Sequence, residues 1–456
     1  MERDTFTRRK CLAAIAGGLT AGCGGRAAEE SSTPTSPTAT ATARPIQTGA
    51  ADPTAEAAAT LGAAFDRGVG RCALEASPTP DGTWPMINRD PAGTNASPAS
   101  NGPTEFPLNE RWTMSALEAQ VTFPVADDGF VYLVAADPDS DPSVPMSAVL
   151  CHDPRRNGEI QWRRRVDAMP VGPPVADGET VYVAFGSPED ARVQAIDRTD
   201  GSLRNVYDLP GRFVGELATA GTSLVMPTED AYRVVDARTG AHCWSFAPND
   251  LRGSEPRNRK IRDAAVGDGA AFVGTGYPDS QPTTGVGHLY AVDPSVPGMR
   301  WHVPMDGPVG RIAVTDDAVI VTTDDSVAGF DLRSGEKRWT DSVERSVRPA
   351  TLAVADGVAV YGTRRTLHGL DVATGTERWA VPFGVRGDVI FVGDVLYAVG
   401  RRDPTSRRIL LVAVDVASGT PRWQQELYDP IVDVMAANGY LYAVTTDGRL
   451  FAFSSV

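Results

Sequence analysis

Lysine is nearly missing from this sequence. Of 43 basic residues only Lys10, Lys260 and Lys337 are lysines, and 58 acidic residues set the formal net charge at −15. That charge argues against non-specific nucleic-acid binding, which needs a basic surface. An acid-rich, lysine-poor composition is expected of a protein adapted to high salt, where carboxylates keep the surface hydrated and screening removes their repulsion. Cysteine is scarce too. Cys11 and Cys23 lie near the N-terminus, and only Cys72, Cys151 and Cys243 follow, with no CxxC pair and no Cys/His cluster. Structural zinc is therefore not expected. Three later cysteines permit at most one disulfide, and the sequence leaves its partners open. GxSxG, P-loop and HExxH motifs are all absent, which removes the commonest hydrolase and nucleotide signatures. His152, His242, His288, His302 and His368 are scattered and are expected to be solvated rather than catalytic. No apolar run approaches the roughly 20 residues of a membrane-spanning helix, and nothing after residue 110 has helical periodicity.

The first 23 residues read as an export address. Thr7-Arg8-Arg9-Lys10-Cys11-Leu12 has the twin-arginine pattern, followed by a short apolar run to Thr20. Leu19-Thr20-Ala21-Gly22-Cys23 resembles a lipobox with Leu one place too far from the cysteine. Cys23 is thus the candidate lipidation site, a plain cleaved signal or an uncleaved leader being the alternatives. The expectation is export of a folded domain and anchoring at the outer face of the cytoplasmic membrane. Residues 24–60 are rich in Ser, Thr, Pro and Ala, too polar to bury a core, and read as a linker. Residues 61–108 form a lead-in. A short helix is expected within 55–75, and Asn95-Ala96-Ser97 is a sequon.

From residue 109 to 456 a unit recurs: Asp, a few residues, Gly, then an indole. It runs Asp153 to Trp162, Asp236 to Trp244, Asp293 to Trp301, Asp331 to Trp339, Asp371 to Trp379 and Asp415 to Trp423. A worn copy starts at Asp197 with Asn205 in the Trp position, so the Asp residues are 44, 39, 57, 38, 40 and 44 apart. That interval is the blade length of a four-stranded β-propeller repeat. Between units lie turn-plus-strand runs such as Asp128-Gly129-Phe130-Val131-Tyr132 and Asn438-Gly439-Tyr440-Leu441-Tyr442, a hairpin signal. The residue two before each Asp is mostly small, which we read as room for an indole packing against a neighbouring blade. The chain ends in Leu450-Phe451-Ala452-Phe453 without its Trp, whereas Asn109-Glu110-Arg111-Trp112 offers one at the start. The expected fold is all-β: an eight-bladed propeller of four-stranded antiparallel blades, closed by pairing of its two ends, with Trp112, Trp162, Trp244, Trp301, Trp339, Trp379 and Trp423 as docking residues. Seven blades are the alternative if the Asn205 region forms no blade.

The Ala-x-Asp-x-x-Thr-Gly-x-x-x-Trp pattern, best kept at Ala413–Trp423, resembles the repeat of quinoprotein (pyrroloquinoline quinone) dehydrogenases and their non-enzymatic relatives. One such relative is the propeller lipoprotein of the bacterial outer-membrane barrel-assembly machine. Trp84-Pro85-Met86-Ile87-Asn88-Arg89-Asp90, with Thr94 and Gly102-Pro103, is similar to the lead-in of propellers in haloarchaeal twin-arginine lipoproteins. For an enzyme, the resemblance implies a vicinal Cys pair on the quinone, a calcium held by Glu, Asn and Asp, and an Asp base. No two cysteines here are adjacent and no CxxCH is present. No catalytic residue, metal or quinone cofactor is therefore expected.

Propeller loops converge on the central channel. Counting back six residues from each hairpin turn places Asp263, Arg311, Asp388 and Asp433 there as tentative binding residues; the same count gives Phe123, Gly172, Gly215 and Thr351. Arg252, Arg257, Arg259, Lys260 and Arg262 form a candidate basic docking loop. The resulting expectation is a monomeric, non-enzymatic cell-surface propeller that scaffolds an envelope protein or binds a ligand. The alternatives are a quinone-dependent dehydrogenase with a non-standard site and a structural envelope protein.

Overall fold

A computed structural model of the chain describes residues 64–455, apart from 69–71, 73, 75–78, 116–119, 137–145, 188–189, 210, 214–215, 252–258, 277–286, 296–297, 344–346, 404, 407, 428 and 430. The leader with Cys23, the linker and most of the 252–262 basic loop lie outside the described residues. Eight antiparallel sheets follow one another. Blade 1 spans residues 120–166, blade 2 175–209, blade 3 218–246, blade 4 260–305, blade 5 309–342, blade 6 347–382 and blade 7 384–427. Blade 8 combines Ile431–Ala437, Tyr440–Thr445 and Arg449–Ser455 with the N-terminal strand Leu108–Ser115. Glu110 pairs with Phe453 and Trp112 with Ala452, so the two ends of the propeller complete one sheet and close the ring. Among the described residues, no helix is long and apolar enough to cross a membrane.

The turns form where the sequence supplies left-handed residues. Asp356 (φ 49) and Gly357 (φ 70) occupy the two central positions of a hairpin, the geometry that suits the twist of paired strands. The second turn of each repeat is organised by its Asp. Asp371 Oδ1 accepts from the backbone NH of Ala373 and Thr374 and from the Thr374 hydroxyl, while Oδ2 accepts from Arg378. Those donors hold the Asp371 carboxyl down at about 2. Arg300, Arg338 and Arg422, each just before a repeat Trp, bind the Asp of their own turn in the same way.

The indoles weld the blades. Five of the seven lie against the turn glycine of the next blade: Trp112 on Gly158, Trp162 on Gly201, Trp301 on Gly335, Trp339 on Gly375 and Trp379 on Gly419, where an added Cβ would come within 2.5–2.8 Å of the ring. Four of them donate Nε1–H to a carbonyl of that next blade, at Arg198, Leu332, Val372 and Val416. This corrects one expectation. The small residue two before each Asp pairs across strands with the indole of its own blade, as Gly369 does with Trp379 and Ala413 with Trp423. The neighbour contact belongs to the turn glycine, because the ring leans out of its own sheet.

Blade 2 is complete, so there are eight blades and not seven. Asn205 stands in the indole register opposite Ala195, but Tyr207, two residues on, takes over the docking. Its ring covers Gly240 of blade 3, and its hydroxyl donates to the Ala237 carbonyl at 2.8 Å. The helix expected within 55–75 is not found among the described residues of that stretch. Phe65–Arg67 is a strand that pairs with Trp244–Phe246 as a fifth strand of blade 3, and Cys72 is disulfide-bonded to Cys243 beside it.

Two outcomes are expected. Gly357 and Gly375 share a φ of +70, but only Gly375 faces an indole. Gly357→Ala should therefore cost about 1 kcal/mol from backbone strain. Gly375→Ala should cost about 1–3 kcal/mol more through overpacking. Urea unfolding of the two variants measures the difference. Reducing the Cys72–Cys243 bridge, which closes a long loop, should lower stability by about 2–4 kcal/mol and expose residues 64–74 to limited proteolysis first.

Candidate functional site

The lead-in between Gly82 and Asn101 is a belt around one end of the channel. Its carbonyls accept backbone NH groups in blade order: Trp84 from Ala126, Pro85 from Ala176, Pro91 from Val266, Ala92 from Val314, Thr94 from Val354, and Asn95 from Phe391. Gly82 and Asn101 then take Asn438 and Gly439 of blade 8, and Asn88 reaches Glu216 before blade 3. The belt thus meets the innermost strand region of every blade. Trp84, Asn95 and Asn101 in it are buried. Asn95 is only 2% exposed and donates to the Leu352 carbonyl, so the sequon at Asn95 is structural in the folded protein rather than open to glycosylation.

Below the belt, the structure brings together all four tentative channel residues. Arg311 of blade 5 lies 3.5 Å from Glu216, 3.8 Å from Asp263 and 4.0 Å from Asp388. Asp263 accepts from the backbone NH of Ile312 at 2.8 Å, and Asp433 from Asp388 NH at 3.3 Å. Glu216 was missed by counting back from the turn, which lands on Gly215, outside the described residues. The innermost strand of blade 3 is short and begins only at Ala218, so its approach follows no repeat register. Thr351, from the same count, is fully buried and not at an open mouth.

Burial dominates the electrostatics. It pushes the Asp263 carboxyl up to about 7, with Glu216 adding to the rise and Arg311 opposing it. Burial and the neighbouring Asp388 likewise raise Asp433 well above the ordinary carboxylate range. Arg311 is half-buried; its desolvation opposes the charge, yet Glu216, Asp388, Asp263 and Asp433 together raise its pKa and hold it protonated. A cavity of about 40 Å³ beside the cluster is lined by residues including Asn88, Glu216, Tyr232 and Asp263. One guanidinium among four carboxylates repels anions and retains protons. No group of three or more His, Cys, Asp or Glu side chains with metal-holding geometry occurs among the described residues.

Other sequence candidates are placed differently from expectation. His152 is buried, with Nδ1 at 2.7 Å from the Gly158 carbonyl, and His288 is buried against His302 at 2.9 Å. The His152 and His288 rings pack inside blades because their strands are covered on both faces, whereas His302 is exposed as expected. In the basic loop, Arg259 is buried on the Tyr290 hydroxyl and Lys260 pairs with Glu229 at 2.7 Å. Neither is offered to a partner.

The family of the outer membrane protein assembly factor BamB matches residues 145–277 and 229–455. The chain belongs to this family. No curated protein matches it. Among solved structures, BamB from Moraxella catarrhalis is 15% identical, with 77% of this chain and 98% of that chain covered and a TM-score of 0.55. A europium-containing methanol dehydrogenase is 12% identical, covering 84% and 99% at a TM-score of 0.62. Saccharomyces cerevisiae Sqt1 is 9% identical, covering 77% and 100% at 0.57. At these identities the likeness to solved structures is one of fold. BamB-family membership and the eight blades accord with the quinoprotein-like repeat read from the indoles.

The buried acidic pair gives a signed prediction. Asp433→Asn keeps an oxygen to accept the two backbone NH groups and removes the charge facing Asp388. A raised carboxyl pKa in the folded state means that stability is lost as pH rises through it. The variant should therefore unfold at a higher temperature than the wild type at pH 8. The gain should vanish as pH is lowered until Asp433 is protonated; thermal unfolding at stepped pH measures it.

Proposed function

We propose that this chain is an exported, lipid-anchored propeller that scaffolds protein assembly outside the cell and carries out no reaction. The belt is the observation that carries this reading. It runs around one end of the channel, and an ion-paired cluster lies beneath it, which favours the rim and the loops as contact surface. A pyrroloquinoline quinone fits poorly here. Its carboxylates would meet Glu216, Asp263, Asp388 and Asp433 with one arginine between them, beside a cavity of about 40 Å³. BamB-family membership supports a protein as the partner class, and the negative charge supports one other than nucleic acid. A disulfide between Cys72 and Cys243 suits an oxidising compartment, in keeping with the twin-arginine leader and Cys23. The acid-rich, lysine-poor composition favours a high-salt habitat.

Cross-linking in intact cells, then purification from detergent-solubilised membranes, tests the reading. The wild type should yield a reproducible protein partner and remain in the membrane fraction. Cys23→Ala should release the chain into the medium. Added quinone with calcium should give no new visible band and no dye reduction. Dye turnover, or no partner in repeated cross-linking, would overturn the proposal.

A further inference from the structure

The outer edges of the eight blades are not alike. Blade 3 carries its own fifth strand, Phe65–Arg67. Phe65 stacks on Trp244 at 5.5 Å between ring centroids, while Asp66 pairs with Ser245 on the opposite face. The outer strand of blade 3 exchanges backbone hydrogen bonds with this segment, from Gly68 NH to the Cys243 carbonyl and from Ala247 NH to Ala64. The repeat thus accepts an added strand, here with Phe65 and the Arg67 stacked on it toward the indole and Asp66 on the other face.

Among the described residues, no strand covers the same edge of blade 1. In register, Trp162 matches Trp244 and Arg163 matches Ser245, each indole lying opposite the residue two before its repeat Asp. By that equivalence the backbone groups of Gln161, Arg163 and Arg165 point outward. Its outer strand Glu159–Val166 differs from the other bare edges in three ways. Trp162 is only partly buried; so is Trp423 of blade 7, but Phe106 lies on it, while Trp301, Trp339 and Trp379 are buried. Ile160, at the position held by Lys337 and Glu377 in blades 5 and 6, is 49% exposed. Across the groove, blade 2 adds Leu203 and Val206, 43% and 41% exposed, on the face turned toward blade 1. Charged residues are what natural proteins place on an edge to prevent strand addition; here apolar ones stand instead.

The charge of this edge is equally distinct. Residues 155–165 hold five arginines against one glutamate in a chain of net charge −15. Arg155 and Arg156 are paired with Asp153, and Arg164, on the indole side, donates to Gln194 and to the Gly201 carbonyl of blade 2, whereas Arg163 and Arg165 are exposed and make no ion pair among the described residues. Both lie on the face away from Trp162, where blade 3 sets Asp66.

We infer that the outer strand of blade 1 is a docking edge for an extended segment of another protein, in which apolar residues alternate with acidic ones. The segment joins as a fifth strand. Its apolar residues enter the groove of Trp162, Leu203 and Val206, and its carboxylates meet Arg163 and Arg165. This is strand addition, with specificity from local charge. The inference rests on the scaffold reading above and names the surface that reading leaves open.

The test uses the folded mature chain and two synthetic ten-residue peptides, one alternating Val and Glu, the other Val and Lys. The Val/Glu peptide should protect backbone amides of 159–166 from hydrogen exchange and bind at least about tenfold tighter than Val/Lys. Arg163→Glu with Arg165→Glu should reverse that preference, and Leu203→Asp with Val206→Asp should weaken the Val/Glu peptide about tenfold. All four sites are exposed, so unfolding temperatures should stay near wild type and verify folding. Protection elsewhere, or a preference unmoved by charge reversal, overturns the docking edge. Cross-linking in cells separates this from the parent reading. If the charge-reversed variant still captures the wild-type partner in full, the edge is wrong and the scaffold stands. If the wild type captures nothing while the peptides behave as expected, the scaffold reading falls and the edge remains a strand acceptor.

Discussion

The contact between an indole and the turn glycine of the next blade holds this ring together. A four-stranded sheet has two faces and two edges and cannot bury them alone. The indole supplies a large apolar plate at the outer strand, and the left-handed glycine lets the neighbouring backbone lie flat against it. The paired Nε1–H and carbonyl then fix the angle between sheets. Tyr207 shows that the physical requirement is a planar ring with a polar tip at that spot, not tryptophan itself. Where the next turn is missing or altered, another aromatic substitutes: Phe65 lies on Trp244, and Phe106 on Trp423 at 5.4 Å.

The belt follows from the same architecture. Innermost strands end at their hairpins with backbone groups directed toward the axis, and those groups must find partners. The lead-in provides them from a single run of chain, so one end of the channel is closed by hydrogen bonding rather than by bulky side chains. The carboxylate cluster beneath it is largely withdrawn from water, with Asp388 buried and Glu216, Asp263, Arg311 and Asp433 half-buried. That isolation is why burial, more than Arg311, governs Asp263 and Asp433.

Function in such a ring moves outward. An axis ringed by its own chain and by internal ion pairs has little to offer a substrate, whereas the rim varies from blade to blade. Blade 3 covers its edge and blades 5 and 6 charge theirs. Blade 1 leaves its indole half-buried and an isoleucine and two arginines exposed. A repeat fold makes these differences easy to see, because equivalent positions share one geometry and differ only in chemistry.

Periodicity alone determined the blade length, the closure of Trp112 against the last strand and the positions of six of the turns, since short-range rules for hairpins, Asp turns and indoles act within about 40 residues, whereas the complete sheet of blade 2 decided for eight blades over seven. The four channel residues were also legible, because a repeat fixes where an innermost strand begins. What only the tertiary structure decided involves partners far apart in sequence and outside the repeat. Glu216 joins the cluster from an irregular strand entry, and Tyr207 replaces an indole two residues out of register. Asn95 disappears beneath blade 6, and Cys72 meets Cys243 across 171 residues. The belt itself carries no periodic pattern, because each of its residues answers to a different blade; its path is set by the ring it seals, and no local rule in a sequence encodes that.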